Sequence, residues 1–491
     1  MYIGIDCGTQ GSKVVICDSK TKKIIATGYE TYPLKQSSTG KREQNPSDWI
    51  NGIKKAYFSA LETSGIDPKE IKAIGVSGQQ HGLVLLNSDD QVLYPAKLWC
   101  DTETQTECDD IIQAIGGADK YIQEVGLDLQ VGYTASKLLW IRKNKPDVYA
   151  KINKIMLPHD YINYWLTGIF CTEPGDASGT GYFNIQERNY SQHIINIIAP
   201  ELDIDTHFPK IISSLASLGK IRSELTKELG LNTKVIVSAG GGDNMMGAIG
   251  TGNITDGVST VSLGTSGTIY CFSSKPFNVQ DESTGIAAFC SSTDGWLPLI
   301  CTMNATSATT LMLDTLNADI EQLTDAIQNS PIGANGLMVI PFFNGERVPK
   351  LPNASASILG LTSTNFTQQN LLKATVEGVS MTLRYGIELL KKSGLELNQI
   401  RLIGGGAKNP LWRQVIADIT NIEVICPVEE EAAALGAAIQ AMYAYNPEIN
   451  LETLCDDWVT LNESTKVKPI LEHVEKYSIV YEKYQECFFN G

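Results

Sequence analysis

Residues 1–18 read MYIGIDCGTQGSKVVICD, two apolar runs around a turn of glycines and hydroxyls that an aspartate leads. Tyr2-Ile3-Gly4-Ile5 and Val14-Val15-Ile16 are rich in β-branched residues, so the stretch predicts a hairpin closed by Gly8-Thr9-Gln10-Gly11-Ser12. A plain turn would use the glycines for positive φ and the hydroxyls to satisfy turn amides. The same residues also make a concave set of donors able to hold an anion. No Lys-Ser/Thr pair follows the last glycine and the chain continues into a strand, which excludes a P-loop.

Working outward, strand-like Ile24–Tyr29 leads to Asn45-Pro46-Ser47-Asp48, a helix-start signal, after which Trp49, Ile53, Ala56, Tyr57, Ala60 and Leu61 recur at helical spacing. Strand-like Ile71–Ser77 then enters Gly78-Gln79-Gln80-His81-Gly82. This alternation predicts an α/β protein with a mixed sheet. A second half opens near VIVSAGGGDNMMGAIGTG (235–252), and VSTVSLGTSGTIYCF (258–272) repeats the opening device around Gly264-Thr265-Ser266-Gly267-Thr268. Two such hairpins suggest two related lobes facing one ligand. Further on, Ile400–Ile403 enters Gly404-Gly405-Gly406-Ala407-Lys408-Asn409-Pro410, with Asn409 suited to cap a helix over Leu411–Thr420. Near the end, Leu471, Val474, Ser478, Tyr481, Tyr484 and Phe488 form a mostly apolar helical stripe expected to pack on the body of the protein.

With 491 residues the chain has room for two or more domains. Its net charge of −16 opposes general binding to nucleic acid or anionic membrane. No basic segment with an apolar core opens the chain, and uncharged stretches are broken by polar residues and Pro298, so a cytoplasmic protein is expected. The eleven cysteines form no CxxC and are read as reduced thiols, and the five histidines show no metal-ligand spacing.

Six residues at four places along the chain carry candidate chemistry. Asp6 ends a strand beside the hydroxyl-rich turn, where it can hold Mg²⁺ near phosphates or only cap the turn. Asp243 follows three glycines and precedes a helix-like run; it suits an N-cap, and it also suits a base accepting a proton from a substrate hydroxyl. Gln80 and His81 lie on a glycine-flanked turn at a strand end, offering donors and acceptors for a polyhydroxylated ligand, although a lone histidine is commonly structural. Trp99 can stack on a sugar face while Asp101 accepts hydroxyl protons, or the tryptophan can belong to the core. Together these parts describe a nucleotide-dependent kinase for a small neutral polyol or sugar.

The residues resemble the FGGY family of carbohydrate kinases along nearly the whole chain. Its first signature is matched by GYTASKLLWIRKN (132–144) and its second by ASILGLTSTNFTQQNLLKATVE (356–377). YIGIDCGTQGSK, GGGDN (240–244), LGTSGT (263–268), FNGERVP (343–349) and IGGGAKN (403–409) are similar to family landmarks in order. The resemblance implies two ribonuclease H-like lobes, divided here as 1–246 and 247–491, with a central catalytic cleft and a C-terminal helix at about 469–489. GQQHG (78–82) beside GGGDN is most similar to members that phosphorylate D-xylulose with Mg²⁺ and ATP. By that resemblance Asp243 is the catalytic base and Asp6 sits by the metal. Thr9, Gly264, Thr265 and Ser266 hold ATP phosphates, Gly405, Gly406 and Asn409 border the adenosine, and Gln80, His81, Asp101 and Asn244 line the sugar site. Family members are often homodimers. Where many of them read Trp-Asn-Asp-Gly-Arg this chain has Trp99-Cys100-Asp101-Thr102-Glu103, and where Met-His is common it has Gln80-His81, so another ketose or polyol such as D-ribulose, L-xylulose or glycerol is the alternative substrate. An ATP-driven binding module, or a sensor that has lost catalysis, is disfavoured by the presence of Asp243.

Overall fold

The computed structural model describes residues 1–279 and 284–488. The opening stretch folds as expected: Tyr2–Cys7 and Gly11–Asp18 pair antiparallel with Asp6 opposite Lys13, and Lys23–Thr31 continues the meander. Ala73–Gly78 then pairs parallel with Tyr2–Cys7, placing Ser77 beside Asp6, and Ile236–Ser238 pairs parallel with Ala73–Gly78.

The second half repeats this plan. Gly257–Leu263 and Gly267–Cys271 make the hairpin, Trp296–Thr302 extends it, and Leu397–Ile403 and Glu423–Pro427 add in parallel on the other side. Each half therefore carries a seven-stranded mixed sheet with the same order of hairpin, third antiparallel strand and two parallel strands. This is the doubled architecture that the repeated turn sequences led one to expect.

The helix Ala432–Tyr445 joins the halves. Its sequence, AAALGAAIQAMYAY, is small and apolar on nearly every side, as a helix covered on most of its sides must be. It packs on strands Tyr2–Cys7 and Ala73–Gly78 and on helix Asp243–Gly250. At Gly436 an added Cβ would fall 1.8 Å from the Met246 carbonyl oxygen, so only glycine admits this approach. The expected division between residues 246 and 247 falls inside helix Asp243–Gly250.

The C-terminal helix spans Leu471–Phe488, and residue 489 of the expected range lies outside the described residues. Its buried stripe is Tyr477, Tyr481, Tyr484 and Phe488, whereas Leu471 is 75% exposed. The expected stripe therefore needs correcting at its start. Tyr477 is drawn inward because its hydroxyl donates to Glu377 Oε1 at 3.0 Å, while Leu471 begins the helix beyond the packed surface.

Candidate active site

Three strand ends meet where the first sheet stops. Asp6 lies beside Ser77, Ser77 beside Gly241, and Gly78 beside Gly242. Helix Asp243–Gly250 starts directly after, with Gly242 as its N-cap and Asp243 as its first residue. An added Cβ at Gly242 would lie 2.6 Å from Gln80 Cγ and 3.1 Å from Asp176 Oδ1, so the glycine lets two side chains crowd around one backbone position.

Asp243 is partly buried by this arrangement. Burial, followed by the negative charge of Asp6, pushes its carboxyl up to about 7, although the Asn244 backbone N–H donates to Oδ1 at 2.8 Å and opposes the shift. A carboxylate poised near neutrality suits proton transfer, because it is ionised at working pH yet basic enough to accept a proton. The Asn244 side-chain amide donates both to Asp243 Oδ1 at 3.1 Å and to Gln80 Oε1 at 2.8 Å. Gln80 Nε2 is buried without a partner among the described residues, leaving a donor for a ligand hydroxyl.

Asp6 is also held above the ordinary carboxyl range by burial, relieved in part by Ser77 Oγ donating at 2.8 Å. Lys13, opposite it in the hairpin, bonds to Glu431 at the start of the joining helix.

His81 adopts φ 64°, with its ring 4.7 Å from that of Tyr133 and 5.6 Å from that of Phe289. Desolvation, with the Lys137 ammonium adding to it, pushes the imidazole down to about 3, so the ring is neutral.

The two hairpin turns differ in how much of their polar capacity is free. In the second hairpin, Thr306 Oγ1 and N donate to the Gly264 carbonyl and the amides of Ala305 and Ser307 to that of Thr265. The turn is thus fixed through its carbonyls, and the N–H groups and hydroxyls of Gly264, Thr265 and Ser266 make no hydrogen bond among the described residues. In the first hairpin, Thr9 Oγ1 donates to Gln79 Oε1 at 3.1 Å and accepts from Trp99 Nε1 at 2.9 Å, while its carbonyl accepts from Gln44. Trp99 is 38% exposed, so it braces this turn rather than filling the core.

Gly404–Gly406 abuts Leu263, bringing the third glycine turn to the same end of the second sheet as residues 264–266. Gly405 faces open space, whereas Gly406 is buried against Leu263 and Thr306. Asn409 caps helix Pro410–Thr420, accepting from the amides of Leu411 and Trp412, and donates to Thr324 Oγ1 at 2.9 Å. Its side chain is therefore spent on shaping the turn. Glu430 pairs with Lys408 at 3.0 Å and Glu431 with Lys13, so two adjacent acids tie this turn to the first hairpin.

Asp101 departs from its expected place on the sugar rim. It is fully buried, with Oδ2 accepting from the Arg42 amide at 2.8 Å and from Lys97 Nζ at 3.3 Å, and Oδ1 accepting from the Glu103 amide. Lys97 also contacts Glu43 at 3.3 Å and Glu103 at 2.6 Å, so one ammonium fills the space among three carboxylates that could otherwise hold a cation. Glu103, one of the residues that depart from the family pattern, completes this cluster. The contribution of Asp101 is to fold the Trp99–Glu103 segment that presents Trp99.

Sequence reasoning did not single out Asp176, His159 or Lys137. Asp176 Oδ2 lies 2.5 Å from His159 Nδ1, and its Oδ1 is buried without a partner among the described residues. The signal available was an acid within the glycine-bearing run EPGDASG, which reads equally well as a turn.

Two domain models of the FGGY family of carbohydrate kinases match, the N-terminal one over residues 1–250 and the C-terminal one over 260–445. A xylulose kinase of Haemophilus influenzae is 54% identical over 488 residues, covering 99% of this chain and 98% of the relative. A xylulose kinase of Bacillus subtilis is 33% identical, covering 99% and 96%. The crystal structure of a ligand-bound xylulose kinase from Lactobacillus acidophilus has a TM-score of 0.91 at 26% identity, covering 99% of this chain and 97% of that one. With its doubled sheet, its base-like aspartate and both domain models in register, the chain belongs to the FGGY family of carbohydrate kinases.

Proposed function

We propose that the protein phosphorylates D-xylulose to D-xylulose 5-phosphate with ATP, using Asp243 as general base. The observation that carries this reading is the setting of Asp243: a carboxyl raised to about 7 at a helix N-terminus, joined through Asn244 to Gln80. The choice of sugar is supported by the names of the relatives, foremost the one 54% identical over nearly the whole chain.

Asp243 accepts the proton of the terminal hydroxyl as that oxygen bonds to the γ-phosphorus, and the bond from that phosphorus to the bridging oxygen breaks to release ADP. Gln80, Asn244 and the neutral His81 orient the sugar. The unbonded donors of Gly264, Thr265 and Ser266, together with the turn at Thr9, receive the phosphates. Gly405 gives the nucleotide room to approach the backbone, and Gly406 and Asn409 hold that turn in shape.

The donors near Asp6 fit a hard cation. Among the described residues its carboxylate is bonded only through Oδ1 to Ser77, and burial has raised its pKa, an environment that a divalent cation relieves. Asp6 would hold Mg²⁺, directly or through water, and the ion supplies charge neutralisation on the phosphates. Among the described residues no helix is long and apolar enough to cross a membrane, which supports a cytoplasmic site of action.

The testing experiment is ADP release by the purified protein with Mg-ATP across D-xylulose, D-ribulose, L-xylulose and glycerol. Selective turnover of D-xylulose is expected. Activity confined to another compound would overturn the substrate and move attention to Gln80 and the Trp99–Glu103 segment.

A further inference from the structure

Lys137 is 0% exposed, and among the described residues its ammonium is bonded only to backbone carbonyls, those of His81 at 2.7 Å and of Gly132. No carboxylate lies within ion-pair distance of it among the described residues, and Asp101 offsets its charge only from farther off. Burying an ammonium without a partner acid is unfavourable, so packing alone would be better served by methionine or leucine. Thr134, one turn earlier on helix Thr134–Asn144, donates from Oγ1 to the same His81 carbonyl at 3.2 Å. Two donors on one helix thus converge on a single peptide oxygen.

That oxygen belongs to a residue whose backbone needs holding. His81 sits at φ 64°, a region that a histidine rarely adopts and that persists only where its surroundings over-determine it. The segment 132–137 supplies that determination: Gly132 anchors Lys137, Tyr133 provides the ring wall 4.7 Å from the imidazole, and Thr134 and Lys137 hold the carbonyl. The Ala135 amide also donates to the Thr180 carbonyl, next to Gly179, against which the imidazole lies.

We propose that Thr134 and Lys137 are positioning residues for the sugar pocket, clamping the His81 carbonyl so that its imidazole is held in the one orientation that meets a substrate hydroxyl. The inference rests on the reading that His81 contacts the sugar. A neutral imidazole carries one donor and one acceptor nitrogen on different edges of the ring, so a hydroxyl meets one of them, and His81 Nδ1 is buried against Gly179. Fixing the peptide plane selects which nitrogen faces the sugar without any contact between the clamp and the ligand.

The test compares Thr134→Val, Thr134→Ser, Lys137→Met, His81→Ala and the double variant His81→Ala/Thr134→Val by steady-state kinetics with D-xylulose and Mg-ATP. Thr134→Val and Lys137→Met are expected to raise KM for D-xylulose by about 5- to 30-fold, the scale of a lost hydrogen bond in a buried site, with KM for ATP within about twofold of the parent. Thr134→Ser, which keeps the hydroxyl, should restore the sugar KM. In the His81→Ala background Thr134→Val should add nothing. If Lys137→Met does not fold, the two Thr134 variants decide the matter. An unchanged sugar KM in Thr134→Val, an equal rise in both KM values, or the same effect with and without the imidazole would overturn the clamp. His81→Ala with an unchanged sugar KM would instead remove the sugar contact on which the clamp depends, so the two failures are distinguishable.

Discussion

Asn244 donates its side-chain amide to Gln80 Oε1 at 2.8 Å, and the same nitrogen reaches Asp243 Oδ1 at 3.1 Å. The first half's strand-end turn and its last helix are thereby joined at the point where a sugar hydroxyl would meet the base. Asn244→Asp removes both donations and sets a carboxylate against two acceptor oxygens. It is expected to lower kcat/KM for the sugar by about 10- to 100-fold, on the scale of one or two buried hydrogen bonds, with ATP affinity retained. Equal losses for sugar and ATP would show that the contact is only structural.

The pH dependence follows from Asp243. With its carboxyl pushed up to about 7, the base is ionised above that value and protonated below it. Sugar-dependent kcat/KM is therefore expected to fall as pH drops through about 7, with no comparable loss of ATP binding. A flat profile down to about pH 5, where an ordinary carboxyl would still be ionised, would contradict the burial of the base.

The same burial opposes folding. Because the native carboxyl binds its proton more tightly than the unfolded one, ionisation destabilises the fold at pH values above about 7, and this destabilisation is absent below the ordinary value of 3.8. Asp243→Asn keeps an oxygen for the Asn244 amide and cannot ionise. Thermal unfolding should show it more stable than the parent at pH 8, with the gain shrinking toward pH 4. A gain independent of pH would point to packing instead.

Gly436→Ala tests the joint between the halves. The new methyl would meet the Met246 carbonyl, one turn from Asp243 on the same helix, and neither backbone can yield cheaply. The expected result is a destabilisation of about 1–3 kcal/mol, the range for overpacking a tight interface, with kcat lowered more than KM because the base is displaced. A parent-like melting temperature and kcat would show that the helices separate freely.

The repeated hairpins are legible because β-branched runs flanking glycine and hydroxyl turns have few other uses, and the helix start at Asp243 is legible because three glycines precede it. Asp101 misled because a carboxylate near Trp99 reads alike whether it faces a sugar or a buried lysine; the deciding partner, Lys97, is drawn inward by Glu43, far away in sequence. Asn409 was read both as a helix cap and as an adenosine neighbour, and its side-chain bonds are those of a cap. Helix Ala432–Tyr445 has no single apolar stripe to indicate its partner, because most of its sides are covered. The clamp on His81 depends on a backbone carbonyl, which sequence does not label.

The central claim is tested most directly by Asp243→Ala, assayed for ADP release with D-xylulose beside a measurement of ATP binding. Turnover is expected to fall by about 10²- to 10⁴-fold with ATP binding largely intact, the contribution of a positioned general base. A folded variant with near-parent turnover would contradict the assignment of Asp243 as the base and with it the proposed mechanism.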